Sequence, residues 1–454
     1  MEATAYSMNR GWNGVVTLTL EVRNGRRRVS SQRVAVRVAP WLMPNHLNPT
    51  EAVYVTNVGS DNARFRQMIT TAATAAGVST VNDPTYNDLW MQDIMELGYS
   101  TMPRVEAPGP ASPQQAARWH LPVVLRTAND RSIEWNSTMD TYPRTRMVGQ
   151  NFGYVEPQRP MDASSLDSFG NLECSPPVTV GRRRYRFGRI IYGTDGRRQM
   201  QHRVRTFLHA QRVQSPITFD TSWLAVGHVD EVMSFCPVPG YSPNRFKLLL
   251  ASPLDALNIC RRLARGSDAN APMFDGLAAA HSRFQSGTYD KATPAQVVGD
   301  HSFVSVQQVI QRRMNSIEGV LRRRLGLRSS DDVIKLPILF RRAGGGRYVA
   351  YTGGGVNMLV ITRASGSAEL CIPKPYGPVT GSPAAASGGT VGRPCEFERV
   401  IRDLLRHTGN GIHFIDDRGQ EFITYHQGMG EVHCGTNSKR KPPVNGWWWE
   451  QEGI

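Results

Sequence analysis

Lysine is scarce in this chain of 454 residues. Only six positions carry it, which leaves 47 arginines among the 53 basic side chains. With 38 acidic residues the formal charge is +15, a balance that suits a polyanion partner. Yet the runs Arg26–Arg28, Arg182–Arg184 and Arg322–Arg324 are short and scattered, and nucleic-acid-binding chains usually mix Lys with Arg and concentrate both. The composition therefore reads as an arginine bias on a solvated surface, with nucleic-acid binding set aside as the main function. Cysteine is also sparse: the six at 174, 236, 260, 371, 395 and 434 include no CxxC pair. That excludes a disulfide scaffold, a zinc ribbon and a thioredoxin-like site. No apolar run approaches the ~18 residues of a membrane-spanning helix. The opening MEATAYSMNRGWNG has no apolar core of a secretory leader. The compartment stays open between the cytoplasm and secretion after processing. HExxH, GxSxG and a dinucleotide-binding fingerprint are missing. Gly344–Gly346 and Gly353–Gly355 lack the Lys-Ser/Thr of a phosphate loop and read as turns.

What is present is core material. Nine Trp, 14 Tyr and 15 Phe exclude a mostly disordered chain. Val15–Val22 and Val34–Val38 flank Asn24-Gly25 and predict a β-hairpin. Prolines at 40, 44 and 49 then punctuate the chain, so residues 1–45 read as a small β appendage and 46–454 as one large unit. Within it, a strand at Val53–Thr56 precedes an Ala/Thr-rich helix at Ala63–Ala76, stopped by Gly77. Phe303–Leu327 carries Val306, Ile310, Ile317 and Leu321 at helical spacing and predicts a helix with a core-facing stripe. A second helix is expected at Phe397–Leu405, and strands at Phe246–Ala251, Met358–Thr362, Ile412–Asp416 and Glu421–Tyr425. Residues 105–115 read as a loop, and Gly377–Pro394 as a flexible low-complexity insertion. The alternation of β and α segments predicts an α/β or α+β class, without a simple sequence repeat.

Four segments set ionisable residues in apolar or Gly-rich surroundings: WMQDIMELGY at 90–99, SFGNLE at 168–173, WLAVGHVDEVMSF at 223–235 and GEVHCGTN at 430–437. Buried ionisable groups are costly unless partnered, so such places are candidate sites. His228 and Asp230 stand two apart, and on an extended strand both would face one side. Cys434, between His433 and Gly435, could be a buried free thiol. With His228 and the carboxylates it also supplies the parts of a nucleophilic site.

Together these segments, with LDSFGNLE-x-SPPVTV, NFGYV at 151–155, LLLASP at 248–253, VNMLV at 356–360, IPKPYGP at 372–378 and GEVHCGTN-x-x-RKP, closely resemble the peptidylarginine deiminases from about Val34 to Trp449. The resemblance implies a pentein fold, a five-bladed α/β-propeller of ββαβ modules. It also implies that residues 1–45 are a remnant of a preceding immunoglobulin-like domain. Residue by residue, it implies Cys434 as nucleophile, His228 as general acid/base, and Asp93 and Asp230 as the carboxylates that grip a guanidinium. Trp90 matches a residue lining the channel for the arginine stem. Arg131 aligns with an arginine that contacts the substrate peptide, and Asn129 stands where the family has a second one.

The implied activity is hydrolysis of peptidyl-arginine to peptidyl-citrulline and ammonia through a thiouronium on Cys434. The implied substrates are arginine-containing peptides or proteins, and the chain's own arginines make self-deimination a corollary. A deiminase of free arginine or agmatine on the same fold is the alternative. A cysteine protease fits less well, because paired aspartates suit a cation better than a peptide bond. For calcium, the resemblance implies one site made by Gln92, Glu96 and Glu173 with the carbonyls of Phe169 and Leu172. A second site is expected to be lost, because Ile94 and Arg126 replace its acids. Calcium dependence is therefore expected to be single-site and weak, or nil.

Overall fold

The computed structural model describes residues 15–83, 87–103, 118–132, 137–157, 163–196, 199–274, 293–381, 394–417, 425–443 and 446–451. The class is α/β, built from many small sheets. Among the described residues five three-stranded sheets share one plan. They are Met95–Pro103 with Arg118–Arg126 and Gly153–Val155; Glu173–Cys174 with Ile190–Thr194 and Ile217–Asp220; Met233–Pro237 with Phe246–Ser252 and Val333–Pro337; Leu359–Thr362 with Ala368–Pro373 and Gly411–Ile415; and Thr436–Arg440 with Thr50–Thr56 and Ser79–Asp83. In each, the first strand runs antiparallel to the central one and the third runs parallel to it. A parallel neighbour needs a crossover, and in four sheets this is α-helical: α1 (Ala63–Ala75), α3 (His202–Ala210), the group α4 (Pro253–Ala264), α5 (Pro294–Gly299) and α6 (His301–Leu325), and α7 (Glu396–Leu405). The single-turn α2 (Met91–Ile94) instead leads straight into a first strand.

The helices form where periodicity and caps agree. In α6 the side chain of Asp300 accepts from the Phe303 amide at 3.0 Å, closing the first turn. Phe303, Val306, Ile310, Met314, Ile317, Leu321 and Leu325 bury one stripe. Gly326 ends the helix at φ +70, and a Cβ there would collide with the Thr179 carbonyl. In α1 the stripe is Phe65, Ile69, Ala72 and Ala73, and Gly77 follows at φ +72.

The N-terminal hairpin, Val15–Asn24 with Arg27–Arg37, forms as the turn sequence predicts. Residues 38–45, grouped with it in the sequence-based division, are buried on the main body: Trp41 donates its ring N–H to Val123 O at 3.0 Å, and Leu42 bridges to Tyr99. A correction concerns the expected insertion 377–394. Gly377 abuts the Phe397 ring, the Glu396 amide donates to Pro378 O at 2.8 Å, and Val379 donates to Pro272 O at 2.9 Å. Its first residues are thus packed, and 382–393 lie outside the described residues, as do 105–115 and most of the strand expected at Glu421–Tyr425.

The position of each first strand matters most for the site. Asp93 precedes Met95–Pro103, Gly170 precedes Glu173–Cys174, Asp230 precedes Met233–Pro237, Asn357 precedes Leu359–Thr362, and Cys434 precedes Thr436–Arg440. Five different sheets therefore deliver their entry turns to one place.

Candidate active site

Those turns meet around the Cys434 thiol, which is buried. Sγ lies 3.3 Å from Asp230 Oδ2 and accepts from Asn357 Nδ2 at 3.2 Å. Asn357 also takes the His433 and Cys434 amides on its Oδ1, at 3.0 and 3.3 Å. The Gln92 amide donates to Cys434 O at 3.1 Å, which ties the thiol turn to α2. Burial, then the charges of Asp230 and Asp93, hold the thiol pKa well above its ordinary value.

His228 and Asp230 do share one space, but not on an extended strand. They belong to a single 3₁₀ turn, Val229–Glu231, whose first residue follows His228. The Glu231 carboxylate accepts the Gly227 and His228 amides at 3.0 and 2.8 Å and shapes the turn. Both side chains press on Gly170: a Cβ there would collide with His228 Nδ1 and sit 3.0 Å from Asp230 Oδ2. His228 Nε2 donates to Ser165 O at 2.7 Å, which leaves Nδ1 as the open nitrogen. Nδ1 of His228, Oδ1 of Asp93 and Oδ1 of Asp230 are buried and unpartnered. Three such atoms together at one thiol are a cost that a bound polar group would remove.

Arg131 is engaged internally. Its Nε and Nη2 fork onto Asp88 at 2.8 and 3.2 Å, and Nη1 reaches Asp93 Oδ2 at 3.3 Å. Burial raises the Asp93 pKa, while the charges of His228 and Arg131 work against that rise. Asp88 also accepts the Trp90 amide at 3.0 Å. The half-buried Trp90 ring stands edge-on to Tyr425, with centroids 5.5 Å apart, and Gly428 and Gly430 abut it. Asn129 is spent elsewhere, donating to Ser168 Oγ at 3.2 Å.

Beside the thiol lies a small cavity of about 30 Å³, lined in part by Gln92, Glu96, Glu173, His433 and Arg440. The Gln92 amide nitrogen touches Glu96 Oε2 at 2.7 Å and Phe169 O at 3.2 Å. Leu172 is buried at the turn between Phe169 and Glu173. Glu173 Oε2 is buried without a partner. Burial, aided by Glu173, pushes Glu96 up to about 8, and burial pushes Glu173 up to about 7. Burial opposes the imidazolium of His433. The Asp230 carboxylate at 2.9 Å and the Glu173 charge overcome that and raise its pKa. Because both glutamates are raised, their contribution to stability is complete at low pH and is lost as pH rises through about 7 to 8. The chelator-treated protein should therefore melt lower at pH 9 than at pH 6.5, and Glu96→Gln should flatten that slope. Calorimetric scans across this range check it, and a melting point that rises toward pH 9 would contradict it.

Ile94 is buried in a cluster with Met91, Met95 and Leu97. Arg126 is fully buried, ion-paired with Asp140 and 3.6 Å from Glu156, and donates to Thr127 O at 3.0 Å.

The protein-arginine deiminase (PAD) family profile matches residues 28–450. The chain belongs to the protein-arginine deiminase family. It is 35% identical over 433 residues to protein-arginine deiminase type-4 of Mus musculus, covering 92% of this chain and 57% of that protein. It is 37% identical over 430 residues to protein-arginine deiminase type-3 of Rattus norvegicus, with the same coverage, 92% and 57%. The chain thus spans little more than half the length of the curated relatives it matches. A solved agmatine deiminase of Enterococcus faecalis aligns with a TM-score of 0.43 and 11% identity, covering 88% of this chain and 96% of that one.

The deiminase motifs converge as residues, and the fold adds partners that the sequence did not single out. Asn357, His433, Gly170, Asp88 and Arg440 all touch the site or its cavity. A usable signal did exist: each of Asn357, His433 and Gly170 lies within three residues of the start of a first strand.

Proposed function

We propose that this chain is the catalytic unit of a protein-arginine deiminase, hydrolysing peptidyl-arginine to peptidyl-citrulline and ammonia. One observation carries the reading. A buried thiol touches Asp230 and feels the charge of Asp93, and each aspartate keeps one buried oxygen without a partner. A guanidinium is planar and cationic and offers several N–H donors, so it matches those open oxygens. We read the five sheets as the blades of a ββαβ propeller whose entry turns line one axial site.

In this mechanism the substrate guanidinium lies between Asp93 and Asp230. Its charge cancels the opposition that both carboxylates raise against a thiolate, so Cys434 ionises when substrate is present. The thiol proton goes to His228, whose Nδ1 is open. The thiolate attacks the guanidinium carbon and forms a C–S bond. His228 returns the proton to the departing nitrogen, the C–N bond breaks and ammonia leaves. A thiouronium remains on Cys434. His228 then takes a proton from water, whose oxygen bonds to the same carbon. The C–S bond breaks, the sulfur recovers its proton from His228, the new hydroxyl group gives its proton to solvent, and the resulting neutral ureido group of citrulline loses its ion pairs and departs. Trp90 walls the arginine stem. Arg131, held by Asp88, faces the arriving peptide and would give up its contact with Asp93 to the substrate.

The cavity residues fit a hard divalent cation. Glu96, Glu173, the Gln92 amide oxygen and the carbonyls of Phe169 and Leu172 are oxygen donors of the calcium type, and Glu173 has a buried oxygen unspoken for. Bound there, calcium would hold both glutamates ionised and so fix the turn at 169–173 against His228. No second calcium is proposed near Arg126, because its guanidinium already neutralises Asp140. The same chemistry acting on exposed arginines of another copy would make the chain its own substrate.

The deciding experiment follows citrulline release from a blocked arginine ester and from free arginine, each with calcium and with chelator. Turnover of the blocked substrate well above that of free arginine is expected, with calcium raising the rate. Preference for free arginine would replace the reading with a small-molecule deiminase. A chelator-insensitive rate would leave the cavity glutamates a purely structural role. Gly170→Ala adds an independent check. The new methyl displaces His228 and Asp230, and a displacement on the order of 1 Å costs about 10²-fold in kcat. Unchanged turnover in that variant would remove His228 from the chemistry.

A further inference from the structure

Two arginine runs that lie far apart in the sequence are neighbours in the fold. The strands Val178–Val180 and Arg183–Tyr185 form a hairpin, with Arg182 in its turn. The hairpin packs on the C-terminal end of α6, where Gly326 abuts Thr179 O and where Arg322, Arg323 and Arg324 form the last turn. Between them opens a pocket of about 530 Å³. Arg189, Arg323 and Arg324 line it, with Tyr185, Thr218, Val180 and Val320 as neutral walls. No acidic residue lines it among the described residues. The nearby acids are committed outside it: Glu318 to Arg322 and Lys335, Asp220 to Arg313, and Glu450 to Arg186.

Basic side chains in the last turn of a helix are ordinarily explained by the helix dipole. Here that role is already filled. Arg189 is 4% exposed. Its guanidinium reaches across to the terminal carbonyl of Arg324 at 2.8 Å and to Ser215 O at 2.9 Å. The face of Tyr185 is shared by Arg189, 4.6 Å from the ring centroid, and Arg183, 5.0 Å from it. The charges of Arg324 and Arg183 add to burial in lowering the Arg189 pKa, so the cations repel one another. Concentrated positive charge in a concave site with no acidic lining residue among the described residues favours an anion.

We propose that this pocket binds a ligand carrying two or more linked phosphates, held between the Arg323 and Arg324 guanidiniums over the Tyr185–Arg189 wall. Guanidinium forks match phosphate oxygens in bidentate fashion. Cations contributed from separate elements suit linked phosphates better than a single one. A nucleoside triphosphate and inorganic polyphosphate share this chemistry.

The test is calorimetric titration of the full chain with tripolyphosphate, ATP and inorganic phosphate, at low and at physiological salt. Saturable one-site binding of tripolyphosphate is expected, at least about tenfold tighter than inorganic phosphate. ATP binding as tightly as tripolyphosphate assigns the site to nucleotides. Exclusion of ATP assigns it to inorganic polyphosphate. The variant Arg323→Gln/Arg324→Gln alters two exposed side chains outside the deiminase site and should retain its citrulline-forming rate. It should weaken tripolyphosphate binding by about tenfold or more, the scale of one charge-assisted hydrogen bond per residue. Removing charge at the distant hairpin tip, with Arg27→Gln/Arg28→Gln, should leave binding unchanged. Equal weakening by both double variants, equal affinity for phosphate and tripolyphosphate, or no saturable binding would each overturn the proposal in favour of diffuse attraction by net charge.

Discussion

Cys434→Ala yields a protein that melts normally and releases no measurable citrulline. The expected fall in kcat is about 10⁴-fold or more, the scale seen when a covalent nucleophile is deleted and only binding and polarisation remain. The two effects separate because the thiol contributes little to the fold. It is a small side chain in the entry turn of a strand that Asn357 and Gln92 fasten through the backbone. Truncating it should cost on the order of 1 kcal/mol. Melting curves and citrulline release from one preparation test both halves. Residual turnover within tenfold of the parent would mean that the sulfur forms no bond to the substrate. A collapsed melting point would make the variant uninformative about chemistry, and Cys434→Ser, which keeps a polar side chain of similar size, then replaces it.

Asp230→Asn separates thiol reactivity from turnover. Asp230 touches Sγ at 3.3 Å and His433 at 2.9 Å, and after burial it is the leading cause of the raised thiol pKa. Removing its charge therefore lowers that pKa, and alkylation of Cys434 by iodoacetamide at pH 8 should become faster. Citrulline formation should nevertheless fall by about 10³-fold in kcat/KM, because one of the two anions that hold the guanidinium is gone. A more nucleophilic sulfur in a less active enzyme is the signature of substrate-assisted ionisation. Alkylation that slows along with turnover would instead show that Asp230 promotes the thiolate, and the proposed order of ionisation would have to be reversed. Measuring the alkylation rate from pH 6 to 10 gives the direction directly.

The parts of this molecule that are governed by short-range rules could be read from residues alone. The hairpin around Asn24-Gly25, the helix stopped by Gly77, the helix expected at Phe303–Leu327 and found at His301–Leu325, and the helix expected at Phe397–Leu405 and found at Glu396–Leu405 all carry a clean local signal, and all are found. The fivefold repetition of the sheets could not be read. Its units share a strand plan but not a sequence pattern, and the first strand of one is only Glu173–Cys174. The motif residues of the site were legible because four long segments hold them in order. Their partners were not. Asn357 reaches Cys434, Asp88 holds Arg131 and Gly170 meets His228 only through tertiary contacts. The extended reading of His228–Asp230 failed because Glu231 folds back on the Gly227 and His228 amides and tightens the backbone into a turn. The arginine runs likewise looked scattered until α6 and the 178–185 hairpin came together.

One sheet joins distant parts of the chain. The strand that follows Cys434 pairs with Thr50–Thr56, and Arg440 bonds Thr50 across 390 positions. Contacts of such sequence separation form late and slowly, because the loop they close must be ordered first. Synthesis runs from the amino end, so Cys434 is made after Asp93, His228, Asp230 and Asn357, and it gains its Asn357 and Asp230 neighbours only after that strand docks. A ribosome-bound chain lacking residues 434–440 holds its aspartates and His228 but lacks the thiol that they surround. On the proposed mechanism, chemistry on any arginine, the chain's own included, becomes available only once this sheet has closed.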